Sequence, residues 1–303
     1  MGLALLFPGQ GSQHAQMLPW LDAQPEARPP LEALARHLGP DWRGRLGEPG
    51  WLHANAVAQR LLTGMGIAAW QVLAARLPRP VAVAGYSVGE LAAFAVAGVF
   101  DAPTALDLAA ARAQAMDAGV AGQDTGLLAV QGPRALAWAQ AETGLSVAIR
   151  IGDERAIVGG GAAALDAAAA RWSAAGLRCT RLPIGVASHT PAMAQAAAAF
   201  AQRLAGVDLG PARAAVVCNF TGAASRDPAV LARALAAQIA STVRWDDCMD
   251  CIAERGARCV LEVGPGTALA AMWRERHPAI PARSVDEFKG PDGVQQWVLQ
   301  QAA

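Results

Sequence analysis

The sequence predicts an α/β fold: a large domain around a mainly parallel sheet, with a small βαββαβ unit inserted into it. Short apolar runs (LALLF, PVAVAG, AAVVC, CVLEV) alternate with Ala/Leu-rich stretches of helical length. Strands buried on both faces read as continuous apolar runs, and the helices between them cover the sheet. From about Gly126 to Pro183 the order becomes LLAV, a helix, SVAIRI, RAIVGG, the helix AALDAAAARWSAAG, and CTRLP. Such an order closes a ferredoxin-like sheet of its own. With 303 residues, 53% hydrophobic and 17% charged, the chain has enough apolar surface for one large domain with an insert and does not resemble a disordered chain.

Taken in order, residues 1–124 form the first part of the large domain, 125–185 the small subdomain and 186–303 the second part of the large domain. LALLF runs directly into PGQG and reads as a buried first strand; with no basic n-region and with Pro8 and Gly9 breaking the apolar run, it does not read as a signal peptide. PEARPPLEALARHLGPDWRGRLGEPG is rich in Pro, Gly and charge and is expected to wander over the surface with short helices between breakers. Gly159-Gly160-Gly161 is expected to form the strand-to-helix turn of the insert; the phosphate-cradling G-x-x-x-x-G-K-[ST] pattern is absent.

Composition narrows the partners. Lys plus Arg and Asp plus Glu both number 25, so bulk charge points neither to nucleic acid nor to an anionic membrane. No run of about 18 apolar residues suggests a membrane span, and a cytoplasmic location is expected. The five cysteines are an odd number in a chain too large to need staples, so reduced thiols are expected. Cys248-x-x-Cys251 sits in a helical stretch with no second pair at zinc-ligand spacing, and no metal site is expected.

The most informative stretch runs from Pro80 to Phe100: the strand PVAVAG, then Gly85-Tyr86-Ser87-Val88-Gly89-Glu90, then the helix LAAFAVAGVF. This is the context of a nucleophile elbow, in which a sharp strand-to-helix turn crowds the positions two residues either side of the serine and lifts its oxygen above the sheet edge. It makes the large domain α/β-hydrolase-like. A serine hydroxyl needs a general base, and the histidines are His14, His37, His53, His189 and His277. In LPIGVASHTPAM, His189 follows an apolar run; its surroundings alone fit a structural loop histidine as well as a base. Arg112 in AAARAQAMDA, read singly, is a residue of a solvated helix face, and GQGSQ an ordinary glycine-rich loop.

Together these segments are more specific. FPGQGSQ at Phe7–Gln13, GYSVGE at Gly85–Glu90, Arg112, the ASH ending at His189 and EVGPG at Glu262–Gly266 resemble, in order and spacing, the malonyl-CoA:acyl carrier protein transacylases. The resemblance covers nearly the whole chain. It implies that Ser87 is the acylated nucleophile and His189 the general acid-base, oriented by the backbone carbonyl of Gln238 in place of a triad carboxylate. It further implies an oxyanion hole from the backbone N–H groups of Gln10 and Val88, a carboxylate grip by Arg112 and a site-lining role for Gln59. The donor would be malonyl-CoA and the acceptor the phosphopantetheine-type thiol of an acyl carrier protein, with no permanently bound cofactor.

Two departures refine this. Tyr86 stands where transacylases of fatty-acid synthesis usually carry His, and IRIGDERAIVGG replaces an Asn-x-Pro-like turn in the insert. Both resemble the epsilon subunit of malonate decarboxylase, whose acceptor is the carrier subunit of that complex; the alternatives are a transacylase of fatty-acid or polyketide synthesis and a serine thioesterase or esterase. Arginines in RCTRLP and MWRERHP are candidates for meeting an acidic carrier.

Overall fold

The structure is a computed structural model and describes residues 2–302. Its strands are β1 (Leu3–Phe7), β2 (Ala82–Gly85), β3 (Thr125–Gln131), β4 (Ser146–Gly152), β5 (Arg155–Gly161), β6 (Arg178–Arg181), β7 (Ala215–Val217), β8 (Ala224–Ser225), β9 (Val243–Arg244), β10 (Cys259–Glu262) and β11 (Ala282–Ser284). The larger sheet has the order β11-β10-β1-β2-β7-β8, parallel throughout except for the short β7–β8 pair. β1, β2, β7 and β10 are buried residue by residue, as continuous apolar runs require, and helices cover both faces.

The smaller sheet has the order β6-β3-β5-β4, antiparallel, with Ala135–Ala141 and Ala162–Ala174 as its helices. This is the ferredoxin-like arrangement, and the fold is an α/β-hydrolase-like large domain carrying that insert. β9 adds a fifth strand, parallel to β4. It ties the insert to the large domain, and Arg150 reinforces the tie by reaching Asp246 at 2.7 Å and Asp247 at 2.5 Å. A two-residue strand carries too little pattern to be read from sequence.

Two expectations change. Gly159, Gly160 and Gly161 do not form a turn: they continue β5 opposite Leu127, Gly126 and Thr125, and the helix begins only at Ala162. Glycine is used there for close packing, since a Cβ at Gly160 would lie 2.6 Å from Leu145 Cδ2. The Pro-rich segment after Pro25 forms the expected short helices, at Arg28–Leu38, Gly44–Gly47 and Pro49–Leu52, but it does not stay on the surface: Ala27, Leu34, Trp42 and Leu46 are buried in the main core.

β1 and β2 are in register through Phe7 and Gly85, so the loop after β1 and the turn after β2 emerge side by side at the carboxyl edge of the sheet. At this turn a Cβ on Gly85 would overlap the backbone of Gly89 and Glu90, and one on Gly89 would overlap the Phe7 carbonyl. Neither neighbour is a flexible side-chain end that could yield. Gly89→Ala is expected to destabilise the protein by about 3 kcal/mol or more, read as a lowered denaturation midpoint in urea; an unchanged midpoint would contradict the packing described.

Candidate active site

Only four described non-glycine residues have positive φ, and Ser87 (φ 56°) and His189 (φ 63°) are two of them. Ser87 occupies the turn between β2 and the helix Gly89–Val96, while His189 lies in the loop before the helix Ala194–Ala205. Both sit in conformations that cost a non-glycine residue energy, and both are over-determined by neighbours. The Ser87 N–H donates to Asn219 Oδ1 at 2.7 Å, and the His189 N–H donates to the Ile239 carbonyl at 2.8 Å.

The strain brings the two side chains together. Ser87 Oγ lies 2.7 Å from His189 Nε2, and His189 Nδ1 lies 2.6 Å from the backbone oxygen of Gln238. A carbonyl can only accept, so Nδ1 carries the proton and Nε2 is left with its lone pair toward the hydroxyl. His189 is 2% exposed; burial, then the nearby Arg112 cation, lowers its pKa to about 3 against the opposing pull of the Gln238 carbonyl. The ring is therefore neutral across the physiological range and able to accept a proton from Ser87.

Arg112 comes from the helix Ala102–Gly119 and is 1% exposed. It donates to Gln59 Oε1 at 2.9 Å, Gln238 Oε1 at 3.3 Å and Ser87 Oγ at 3.4 Å, while its Nε has no partner. Burial draws its pKa down to about 10, with Glu90 opposing, so it remains a cation at neutral pH. Its hydrogen-bonded partners are neutral acceptors. A buried cation left so is costly unless an anion completes the site, and a planar guanidinium suits a carboxylate.

Gln59, fully buried on the helix Asn55–Leu73, holds the outer side of the guanidinium. Gln238 does more than lend its carbonyl: its side chain binds Arg112, and its Nε2 donates to the Ser87 carbonyl at 3.4 Å. Among the described residues, the N–H groups of Val88 and Gln10 donate to no acceptor within the protein. The Gln10 loop is shaped by Gln13, which accepts from Gly11 N–H at 2.8 Å, and by the Ser12 hydroxyl on the Gly9 carbonyl at 2.9 Å. Ser87, His189, Arg112 and Gln10 line a cavity of about 50 Å³ floored by Met116 and by Leu127, Ile149 and Ile157 of the insert. That is room for about four waters, which suits a short acyl group. A neighbouring cavity of about 230 Å³ shares Gln10, Tyr86, Ile157 and Leu182 with it and leads past Arg155. Tyr86 stands at the junction with its ring edge-on to Trp245, centroids 5.0 Å apart.

Sequence reasoning missed Asn219 and Glu90. Both are fully buried, and they are joined by a 2.6 Å hydrogen bond from the Asn219 N–H to Glu90 Oε1. The signals were present: a carboxylate opening an otherwise apolar helix, and an amide just past a strand that ends at the sheet's carboxyl edge. Cys248 is buried and Cys251 half-buried on the helix Trp245–Glu254, and both are free thiols. Among the described residues no cluster of three His, Cys, Asp or Glu could hold a metal ion, and no helix is long and apolar enough to cross a membrane.

Residues 4–285 match the family model described as the acyl transferase domain. The chain therefore belongs to the acyl transferase family, which includes the malonyl CoA-acyl carrier protein transacylases. It is 33% identical to the Malonyl CoA-acyl carrier protein transacylase of Mycobacterium bovis over 293 residues, 93% of this chain and 96% of the relative. It superposes on the acyl-carrier-protein S-malonyltransferase of Burkholderia pseudomallei with a TM-score of 0.90 and 29% identity, covering 98% and 100% of the two chains. A malonyl-transacylase solved in complex with its type II PKS acyl-carrier protein is similar at a TM-score of 0.91 and 26% identity, with 99% of each chain covered.

The depressed basicity of His189 has a direct readout. In nitrogen-15 NMR of the free protein, His189 is expected to hold the neutral, Nδ1-protonated form from pH about 8 down to about 5. A titration centred near 6.5 would contradict the environment described.

Proposed function

We propose that the protein transfers a malonyl group from malonyl-CoA to the phosphopantetheine-type thiol of an acyl carrier protein, through an ester on Ser87. The observation that carries this reading is Arg112: a buried guanidinium, within reach of the nucleophile, whose hydrogen-bonded partners are all neutral. An acetyl group offers it nothing, whereas the free carboxylate of a malonyl group completes it. The malonyl transacylases among the relatives support the same donor and acceptor.

In this reading Ser87 Oγ attacks the thioester carbonyl as its proton passes to His189 Nε2. The developing oxyanion meets the free N–H groups of Val88 and Gln10, each donor of this kind contributing about 10²–10³ in rate. As the C–S bond breaks, His189 returns the proton to the departing CoA sulfur. The carrier thiol then loses its proton to His189 and attacks the ester; Ser87 Oγ leaves and is reprotonated from Nε2, so the enzyme ends as it began. Gln238 keeps His189 in the working tautomer and steadies Arg112; Gln59 holds the guanidinium from the other side.

The acceptor is the finer question. The transacylases named above support an ordinary acyl carrier protein of fatty-acid or polyketide synthesis. A second reading, the epsilon subunit of malonate decarboxylase acting on the carrier subunit of that complex, is favoured by Tyr86 at the junction of the two cavities. Of the arginines considered for docking, Arg276 is bound to Asp250 at 2.5 Å, Arg274 to the Ala282 carbonyl at 2.8 Å and Arg181 more loosely to Asp166 at 3.6 Å, which leaves Arg178 the freest.

The test follows acylation and transfer with malonyl-CoA and acetyl-CoA as donors and both kinds of carrier as acceptors. The expected outcome is a malonyl mass on Ser87 and faster transfer to the ordinary carrier; faster transfer to the decarboxylase carrier would select the second reading, and no adduct would defeat both. Arg112→Ala is expected to lower kcat/KM for malonyl-CoA by about 10²-fold or more, as for loss of one partner of a buried charge pair, and to erase the preference over acetyl-CoA. A variant that kept the preference would remove Arg112 from the role.

A further inference from the structure

Asn219 lies just beyond β7, beside the strand that carries the nucleophile, and is fully buried. Its side-chain oxygen accepts from the Ser87 N–H at 2.7 Å, and its side-chain nitrogen donates to the Gly85 carbonyl at 2.6 Å. The orientation of the amide is forced, because the Ser87 N–H can only donate and the Gly85 carbonyl can only accept. One side chain thus grips the backbone on both sides of Tyr86. Asn219 is itself anchored at both ends: its N–H donates to Glu90 Oε1 at 2.6 Å, and its carbonyl accepts from the Arg244 N–H at 2.9 Å. Glu90 follows Ser87 by three residues, so the clamp closes on both limbs of the turn.

We propose that Asn219 is the positioning residue of the nucleophile turn, holding Ser87 in its left-handed conformation so that Oγ meets His189 Nε2 and the Val88 N–H stays free. It touches neither the cavity nor the reacting atoms and acts through Ser87. The inference rests on the reading of Ser87 as the acylated nucleophile.

The test uses Asn219→Ala and Asn219→Asp in the full chain, with acylation by malonyl-CoA followed alongside thermal melting. Asn219→Ala is expected to lower kcat by about 10²-fold, the usual effect of an ångström-scale misplacement. KM for malonyl-CoA should stay within about threefold, because Arg112 and its glutamines are untouched. Asn219→Asp separates the hydrogen-bond pattern from mere occupancy. A neutral carboxyl offers the same acceptor and the same donor as the amide, whereas the ionised form loses the donor to Gly85. The groups around the position are Glu90, Cys218 and Cys248, with Arg112 and His189 beyond the turn; burial among them favours the neutral form.

At pH about 6, Asn219→Asp is expected to acylate at least about tenfold faster than Asn219→Ala, with the advantage shrinking toward pH about 8.5 as the carboxyl ionises. Asn219→Ala within about threefold of wild type in kcat, or Asn219→Asp no faster than Asn219→Ala at pH about 6, would overturn the proposal. If Asn219→Ala does not fold, Asn219→Asp against wild type decides: a relative rate that rises on acidification supports the role, and a constant deficit overturns it. A wild-type protein that forms no malonyl-Ser87 would instead defeat the reading of the site.

Discussion

Ser87 is held at φ 56° in a turn so tight that residues 85 and 89 have no room for a Cβ, and most of the site follows from that constraint. A left-handed conformation costs a non-glycine residue roughly 1–2 kcal/mol, and a typical buried hydrogen bond contributes about 1 kcal/mol net. The two bonds from the Asn219 side chain, with the weaker one from Gln238 Nε2 to the Ser87 carbonyl, are of the size needed to offset the strain. The parallel registers of β1, β2 and β7 place the chains bearing the Gln10 loop, Ser87 and Asn219 next to one another at one sheet edge. The sheet order is therefore a precondition of the chemistry and not only of the core.

Electrostatics divide the work between two buried groups. His189 is kept neutral by burial and by the adjacent cation, which leaves its Nε2 lone pair facing Ser87 Oγ. Arg112 is kept charged and provided only with neutral acceptors. The same cation that disfavours protonation of His189 would be partly neutralised by a bound carboxylate. A bound carboxylate would then make His189 easier to protonate, as the proposed passage of the Ser87 proton to it requires. Glu90 is pushed up by burial, against its bond from Asn219 and the Arg112 cation, and makes no hydrogen bond to Arg112.

Much of this was legible in the sequence because it is encoded locally. The elbow is a strand, two crowding glycines and a helix within one short segment, and the insert announces itself by alternating strand and helix runs. The parts that were not legible are those made across long separations. Asn219 meets Ser87 from 132 residues away, and its own neighbourhood looks like an ordinary strand end. The resemblance alone implied the Gln238 carbonyl behind His189, and its side chain's second task, joining Arg112 to the Ser87 carbonyl, exists only once three elements converge. Gly159–Gly161 misled for the opposite reason: a glycine triplet suggests a turn, whereas here close packing against Leu145 and Leu127 asks for glycine within a strand. The Pro-rich segment misled because its punctuation hid Leu34, Trp42 and Leu46, which face the core.

In the proposed reaction one cavity orients a dicarboxylic thioester by gripping both its ends. A crystal structure of the malonyl-enzyme, trapped after exposure to malonyl-CoA without acceptor, tests it most directly. The expected result is an ester on Ser87 with its carbonyl oxygen between the N–H groups of Val88 and Gln10 and its free carboxylate paired with the Arg112 guanidinium. An ester whose carboxylate points away from Arg112, into the larger cavity past Tyr86, would contradict it.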